Sequence, residues 1–298
     1  MTDLAANYNH RVIDPETRMD HGLHAFSALP KRAKLTWPNG AAVAMAVVIN
    51  VDYGDLATNP LNLVGFTHRD YGARVGIFRL MRILERLGIP ASLPISDALL
   101  FRAPRIVEEA RRLGWEFVAH GAKVTQPISG SMSEVDERAY LVTSRSAIEE
   151  ATGKPPRGWL GPANAESSQT ALLLAELGYD YTLDWGNDDQ PYGFNTPACD
   201  LTAIPYSAET SDAAVVQSQS HTPWEFADAL HDHLETLIAE GSASGRVMTL
   251  GLQAHVSGQP LRAKYIRQVL ETARNSGKVW FATASEILDA YRAQKVAE

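Results

Sequence analysis

A regular alternation of short apolar segments with amphipathic segments runs from residue 41 almost to the end of this 298-residue chain. Runs of small and β-branched residues, typical of buried strands, lie at 41–51, 89–95, 115–120, 157–161, 179–184, 201–206, 247–252 and 279–281. Between them, apolar spacing and flanking Gly and Pro predict helices over 71–87, 103–113, 133–152, 168–177, 223–239, 261–276 and 284–294. Such alternation predicts a parallel sheet built from crossover units. About seven or eight strands without a linker favour a β/α barrel over an open doubly wound sheet.

The first 40 residues differ from the rest of the chain. They are polar, contain proline and show no sustained periodicity, so we expect an irregular N-terminal arm over 1–40 and a barrel domain over 41–298. The arm can bury Leu23, Phe26 and Leu29 only against a barrel surface. We expect a homo-oligomer, a dimer or a tetramer, in which a neighbouring subunit supplies that surface. The alternative is that the arm packs on its own subunit.

Charge and hydropathy exclude several classes of partner. Lys and Arg number 27 against 35 Asp and Glu, a net charge of −8, so a general phosphate-binding surface is absent and nucleic acid is not an expected partner. The longest apolar runs are well short of the ~20 residues that span a bilayer, and the N-terminus lacks a signal pattern. We therefore expect a cytoplasmic protein that acts on a small molecule. The single cysteine excludes an internal disulfide and a multi-cysteine zinc site.

Polar and aromatic side chains recur where the predicted strands end, which in a parallel barrel is the mouth that carries function. These residues are Asp52, Asp55, His120, Lys123, Trp159, Trp185, Asp188, Asp189, Gln253 and His255. A single strand-end Asp equally fits a helix N-cap, so the indication of a site comes from the whole set. Arg69 and Tyr71 precede the first long helix and could line the mouth, although Arg69 and Asp70 also fit an ion pair at the helix start.

Several long motifs resemble the polysaccharide deacetylase-like superfamily. They are HRDYGARVGIFRLMRILE at 68–85, GWEFVAHG at 114–121, GKPPRGWLGPANAES at 153–167, DWGNDDQPY at 184–192 and GRVMTLGLQAHVSGQP at 245–260. The chain is most similar to the branch that holds metal-independent allantoinases, cyclic imide hydrolases and peptidoglycan deacetylase-like proteins. The resemblance implies a deformed parallel β/α barrel of about seven strands and hydrolysis of a non-peptide C–N amide bond.

The resemblance also implies a divalent metal, held by an Asp after the first strand and by two His spaced four apart. Asp52 and His120 match the first two ligands, whereas the third position is Val124. The late histidine that acts as general acid in the family is replaced by Gln253. Two protein ligands hold a catalytic zinc poorly, because such sites ordinarily have three. We therefore expect no cofactor, with zinc on Asp52, His120 and either Asp55 or His255 as the alternative.

Without a metal, Asp52 and His120 are the groups that could activate water as general bases. Lys123, Trp159, Trp185 and Gln253 could donate N–H groups to an oxyanion. The predicted catalytic residues are thus Asp52, His120 and Gln253. The predicted substrate-binding residues are Arg69, Tyr71, Lys123, Trp159, Trp185, Asp188, Asp189 and His255.

The leading hypothesis for function is a hydrolase of a small cyclic amide, imide or ureide. The first alternative is a metal-dependent N-deacetylase of an amino sugar or another N-acetylated compound. Val124 and Gln253 motivate a second alternative, a non-catalytic binding protein.

Overall fold

The computed structural model describes residues 22–51, 63–197 and 200–295. Its strands are β1 Val43–Asn50, β2 Ser92–Ile95, β3 Glu116–Ala119, β4 Gly158–Trp159, β5 Tyr181–Thr182, β6 Tyr192–Gly193, β7 Thr202–Ala203, β8 Arg246–Gln253 and β9 Val279–Phe281. Its α-helices are α1 Leu63–Tyr71, α2 Ile77–Leu87, α3 Asp97–Arg102, α4 Pro104–Arg112, α5 Glu134–Thr152, α6 Thr170–Glu176, α7 Pro223–Gly241, α8 Pro260–Asn275 and α9 Ala284–Lys295. Each strand and helix predicted from the sequence is present, although β2, β4, β5 and β7 are clearly shorter than predicted.

The strands form one curled sheet in the order β6-β7-β5-β4-β3-β2-β1-β8. All of its ladders are parallel except the one between β6 and β7. The sequence predicted β7 but not β6. β9 pairs with the first half of β1, and β2 pairs with β1 at Val48. Ser211, in the chain after β7, forms a parallel bridge with Gly251 of β8. This bridge joins the two sides of the curled sheet, and the predicted deformed β/α barrel is confirmed.

Alternation along β1 separates two apolar clusters. Val43, Met45, Val47 and Ile49 pack with the surrounding helices. Ala44, Ala46 and Val48 pack instead with side chains of other strands, namely Val118, Tyr181, Ile204 and Val247. All eight residues of β1 are buried, as the sequence predicted for a strand covered on both faces. Asn50 follows Val48 by two residues and so extends the inner row toward the carboxyl end of the barrel.

The described part of the arm contributes apolar side chains to both core clusters of its own barrel. Leu23 joins the cluster under the helices, and Leu35 and Trp37 join the inner cluster. The Trp37 indole Nε1 donates to the carbonyl of Arg246 at 2.7 Å. Phe26, in contrast, is 95% exposed. The arm thus buries part of its apolar surface within the chain and leaves one large aromatic ring uncovered.

The helix predicted over 71–87 continues α1 and contains a π-helical segment at Gly72–Gly76. Gly72 and Gly76 lie against the turn that follows β8. A Cβ on Gly76 would lie 2.0 Å from the carbonyl oxygen of Ala254, so only glycine allows this approach. Among the described residues, no helix is long and apolar enough to cross a membrane.

Candidate active site

Asn50 and Gln253 end β1 and β8 as paired residues of one ladder. The side-chain oxygens Asn50 Oδ1 and Gln253 Oε1 are both buried and have no hydrogen-bond partner among the residues that the structure describes. The Asn50 Nδ2 group lies 3.5 Å from the hydroxyl of Tyr206. Buried polar atoms in proteins are nearly always bonded, so two adjacent acceptors without a donor indicate a ligand site. The predicted role of Gln253 as an N–H donor stays a prediction.

His120 follows β3 and is only 7% exposed. Its Nδ1 lies 2.5 Å from the carbonyl oxygen of Leu160. Because a carbonyl only accepts, Nδ1 carries the ring proton and Nε2 is the basic nitrogen. An imidazole ring fixed by its Nδ1–H presents Nε2 as the nitrogen that can take a proton from water, as a general base requires.

Two carboxyl groups that sequence reasoning missed, Asp184 and Glu166, lie beside this position. The Gly161 N–H donates to both Asp184 oxygens, at 2.8 and 3.0 Å, and the Trp185 indole donates to Glu166 Oε2 at 3.0 Å. Burial and the neighbouring Glu166 charge raise the pKa of Asp184 well above its usual range. Burial also raises the pKa of Glu166 to about 7. The pair therefore retains a proton near neutral pH.

Asp212 is a third carboxyl group that the sequence did not single out. It is fully buried, accepts the Gln253 N–H at 2.8 and 2.9 Å and accepts the Ser257 hydroxyl at 2.5 Å. Burial raises its pKa to about 7. Asp212 thus holds the backbone of Gln253 and the turn that follows it.

Asp97 is buried at the start of α3, below the loop that carries His120. Its backbone N–H donates to the Gly121 carbonyl at 3.0 Å. Burial raises the pKa of its carboxyl group to about 6. Its position next to Gly121 makes it a support of the His120 loop.

The two predicted tryptophans have different surroundings. Trp159 is completely buried and packs edge-on against Tyr140 and Tyr179. Its Nε1 has no partner among the described residues. Trp185 is half-buried, and the arm residue His24 lies across it with ring centroids 5.7 Å apart. The arm therefore covers one predicted substrate-binding residue.

Asp188 and Asp189 lie in the loop between β5 and β6. Arg32 of the arm binds Asp188 with two hydrogen bonds, at 2.7 and 2.6 Å. The same carboxylate accepts the backbone N–H groups of Asp189 and Gln190. Asp189 itself is exposed. These contacts give Asp188 a role in fastening the arm to the loop.

The remaining predicted residues lie around the turn after β8 or on the surface. Gln217 contacts His255 Nε2 at 2.9 Å, and the Gly72 backbone packs against the other side of His255. Arg79 donates to the Tyr71 hydroxyl at 2.6 Å. Arg69 and Lys123 are exposed.

Asp52 and Asp55 lie outside the described residues, so the predicted pair of Asp52 and His120 is not tested by the structure. Among the described ranges, no three His, Cys, Asp or Glu residues are grouped so that they could hold a metal ion. Val124 offers no lone pair, and His255 contacts Gln217. The described residues alone therefore do not make up a metal site.

Comparison with known proteins shows what the chain is similar to. Residues 62–182 match the polysaccharide deacetylase family. A Schizosaccharomyces pombe protein provisionally named a polysaccharide deacetylase is 23% identical over 87% of this chain and 92% of its own length. The peptidoglycan deacetylase of Helicobacter pylori is 31% identical over 48% of each chain.

Solved structures show the same fold. PuuE allantoinase superposes with a TM-score of 0.82 at 24% identity, over 88% of this chain and 94% of that one. The matched sequence region carries His120 and Trp159. Residues 62–182 are thus similar to the polysaccharide deacetylase family, and the chain shares the fold of PuuE allantoinase.

Proposed function

We propose that this protein hydrolyses the C–N bond of a small cyclic amide, imide or ureide. The observation that carries the proposal is the pair of buried amide oxygens on Asn50 and Gln253 without donors among the described residues. An imide or ureide ring presents N–H beside C=O along one edge. A carboxamide side chain matches that edge, because its oxygen accepts the N–H and its NH₂ group donates to the C=O.

His120 performs the proton transfers in this proposal. Its Nε2 takes a proton from water as the water oxygen attacks the carbonyl carbon. The oxyanion that forms is stabilised by the Gln253 side-chain NH₂ group. When the C–N bond breaks, the nitrogen takes the proton from His120, which returns to its neutral form. The products are a carboxyl group and an amino or amide group, joined in one molecule when the substrate is a ring.

Likeness to an allantoinase supports a small cyclic substrate. The H. pylori peptidoglycan deacetylase is similar to 48% of the chain. This similarity favours a second candidate function, the removal of an acetyl group from an amino sugar. The two candidates share hydrolysis of a C–N bond other than a peptide bond and differ in the group that enters the mouth.

The test is a hydrolysis screen on purified full-length protein. Succinimide and hydantoin represent the rings, N-acetylglucosamine and its oligomers represent the acetylated sugars, and NMR detects the products. We expect ring opening, with kcat/KM lowered about 100-fold or more in His120→Gln and unchanged in His221→Gln, which alters an exposed histidine. Acetate release with both rings untouched would establish the second candidate. Ring binding without turnover would establish a binding protein.

A further inference from the structure

His120 and Asp184 bind the two ends of the same peptide group. The His120 Nδ1–H donates to the carbonyl oxygen of Leu160 at 2.5 Å. The N–H of that peptide, which belongs to Gly161, donates to the Asp184 carboxyl oxygens at 2.8 and 3.0 Å. A continuous hydrogen-bonded chain therefore runs from the imidazole through the peptide group to the carboxyl group, between residues that follow the neighbouring strands β3, β4 and β5.

We propose that Asp184 is a positioning residue for His120 and acts through the Leu160–Gly161 peptide group. By holding the Gly161 N–H, Asp184 fixes the plane of that peptide and directs the Leu160 carbonyl at Nδ1. The ring is then locked with its proton on Nδ1 and with Nε2 as the nitrogen presented for chemistry. The catalytic consequence rests on the proposed function, whereas the tautomer itself does not.

Glu166 completes the arrangement from the opposite side of Asp184. Because Asp184 retains a proton, it can donate to Glu166 and still accept from Gly161. Glu166 is held by the Trp185 indole at 3.0 Å, and the Thr182 hydroxyl lies 3.5 Å from Glu166 and 3.4 Å from Asp184. The charge of Glu137 also raises the pKa of Glu166, while Glu166 raises the pKa of Tyr192 and Asp184 raises that of Tyr206.

Gly161 is closely surrounded where the peptide meets Asp184. A Cβ on Gly161 would lie 3.0 Å from the Ala165 carbonyl oxygen and 3.1 Å from Asp184 Oδ2. Both distances are tighter than ordinary van der Waals contact, so the peptide is confined on the side that faces the carboxyl group. Such packing is what an indirect hydrogen-bonded support of a catalytic histidine requires.

The first test determines the tautomer in the wild-type protein itself, and a substitution serves only to assign the signal. Nitrogen-15 NMR of histidine-labelled wild-type protein distinguishes the two neutral tautomers, and the signal absent from His120→Gln identifies His120. We expect the proton on Nδ1. A proton on Nε2 in the neutral ring would overturn the proposal, whatever substrate the protein turns over.

The second test asks whether residue 184 acts through the hydrogen bond that it accepts from Gly161 or through its charge. Asp184→Asn keeps an oxygen for Gly161 and an N–H for Glu166, so we expect the Nδ1–H tautomer and most of the activity to remain. Asp184→Leu is similar in size but has no acceptor, and we expect a mixture of tautomers and a kcat lowered about 10- to 100-fold, with KM little changed. Asp228→Asn, on an exposed face of α7, is the matched control.

The outcomes separate this inference from the proposed function. If Asp184→Leu keeps both the wild-type tautomer and the wild-type kcat, the positioning role is wrong, although the hydrolase proposal stands. If the wild-type protein hydrolyses no tested amide but shows the Nδ1–H tautomer, which Asp184→Leu loses, the proposed function fails and the positioning role stands.

Discussion

Asn50 and Gln253 are direct register partners at the carboxyl ends of β1 and β8, and each keeps a buried amide oxygen without a donor among the described residues. An unsatisfied buried acceptor destabilises a folded protein by about 1–3 kcal/mol. A protein that keeps two of them side by side gives up stability at the place where a ligand with N–H groups would be bound.

Gln253→Met should separate stability from activity. Methionine has a similar shape without the unsatisfied oxygen, so we expect an unchanged or higher Tm and a kcat/KM lowered about tenfold or more. Calorimetry and steady-state kinetics measure the two effects. Gln268→Met, on an exposed face of α8, is the control and should change neither. A lower Tm with full activity would show that Gln253 has only a structural role.

Asp212 should make stability depend on pH. Its pKa is raised to about 7 by burial, so the folded state favours the protonated form. The stabilisation is complete below the ordinary carboxyl pKa and is lost as the pH rises through about 7, by at most about 1.4 kcal/mol per pH unit. Asp97 and Glu166 act in the same direction.

Urea unfolding at pH 5 and pH 8 measures this effect. We expect the free energy of unfolding of the wild-type protein to be lower at pH 8. Asp212→Asn resembles the protonated carboxyl group and should reduce the difference between the two pH values. The exposed control Asp228→Asn should keep it. An equal pH dependence in both variants would contradict a buried, protonated Asp212.

Local sequence patterns predicted the barrel and the location of two candidate site residues, because both depend on position along a strand. His120 and Gln253 were predicted from the ends of β3 and β8, and the structure finds both buried or half-buried there. The carboxyl groups of Glu166 and Asp212 were missed because neither ends a strand. Glu166 contacts Asp184, and Asp212 contacts the Gln253 backbone. Only the closed sheet brings these residues together.

The contact between the arm and the loop after β5 was also beyond local patterns. Asp188 was predicted to bind substrate because it follows a strand, but its partner Arg32 is 156 residues away in the chain. Both side chains are largely covered, at 19% and 14% exposure. A motif match identifies such a loop without showing which of its charges are already neutralised.

Arg32→Met should therefore loosen the arm. Because the ion pair is bidentate and mostly buried, we expect the free energy of unfolding to fall by about 1–3 kcal/mol. A double-mutant cycle with Asp188→Asn should show coupling of about 1 kcal/mol. Arg105→Met breaks the exposed pair with Glu108 and should cost less than about 1 kcal/mol. Equal losses from Arg32→Met and Arg105→Met would contradict the anchoring role.

The exposed ring of Phe26 should lie in a subunit interface. Leu23 is already covered by its own barrel, whereas Phe26 is 95% exposed in the single chain. We expect sedimentation to show a dimer or a tetramer, and Phe26→Ser to shift it toward the 32.6 kDa monomer. Phe101→Ser, at an 81% exposed position on α3, should leave assembly unchanged. A wild-type protein that sediments as a monomer at micromolar concentration would exclude the interface.

Activity should survive exhaustive chelation. Val124 stands where the family places its second histidine ligand and has no lone pair, and Gln253 replaces the late imidazole. Asp52 and His120 alone are fewer than the three protein ligands of ordinary catalytic zinc sites. The carbonyl of a cyclic imide is electron-poor, so it needs a Lewis acid less than an acetamide does. We expect substoichiometric zinc by elemental analysis and unchanged kcat after treatment with a chelator. Loss of activity that one divalent ion restores would contradict this, and Asp52, His120 and either Asp55 or His255 would then be the ligands to substitute.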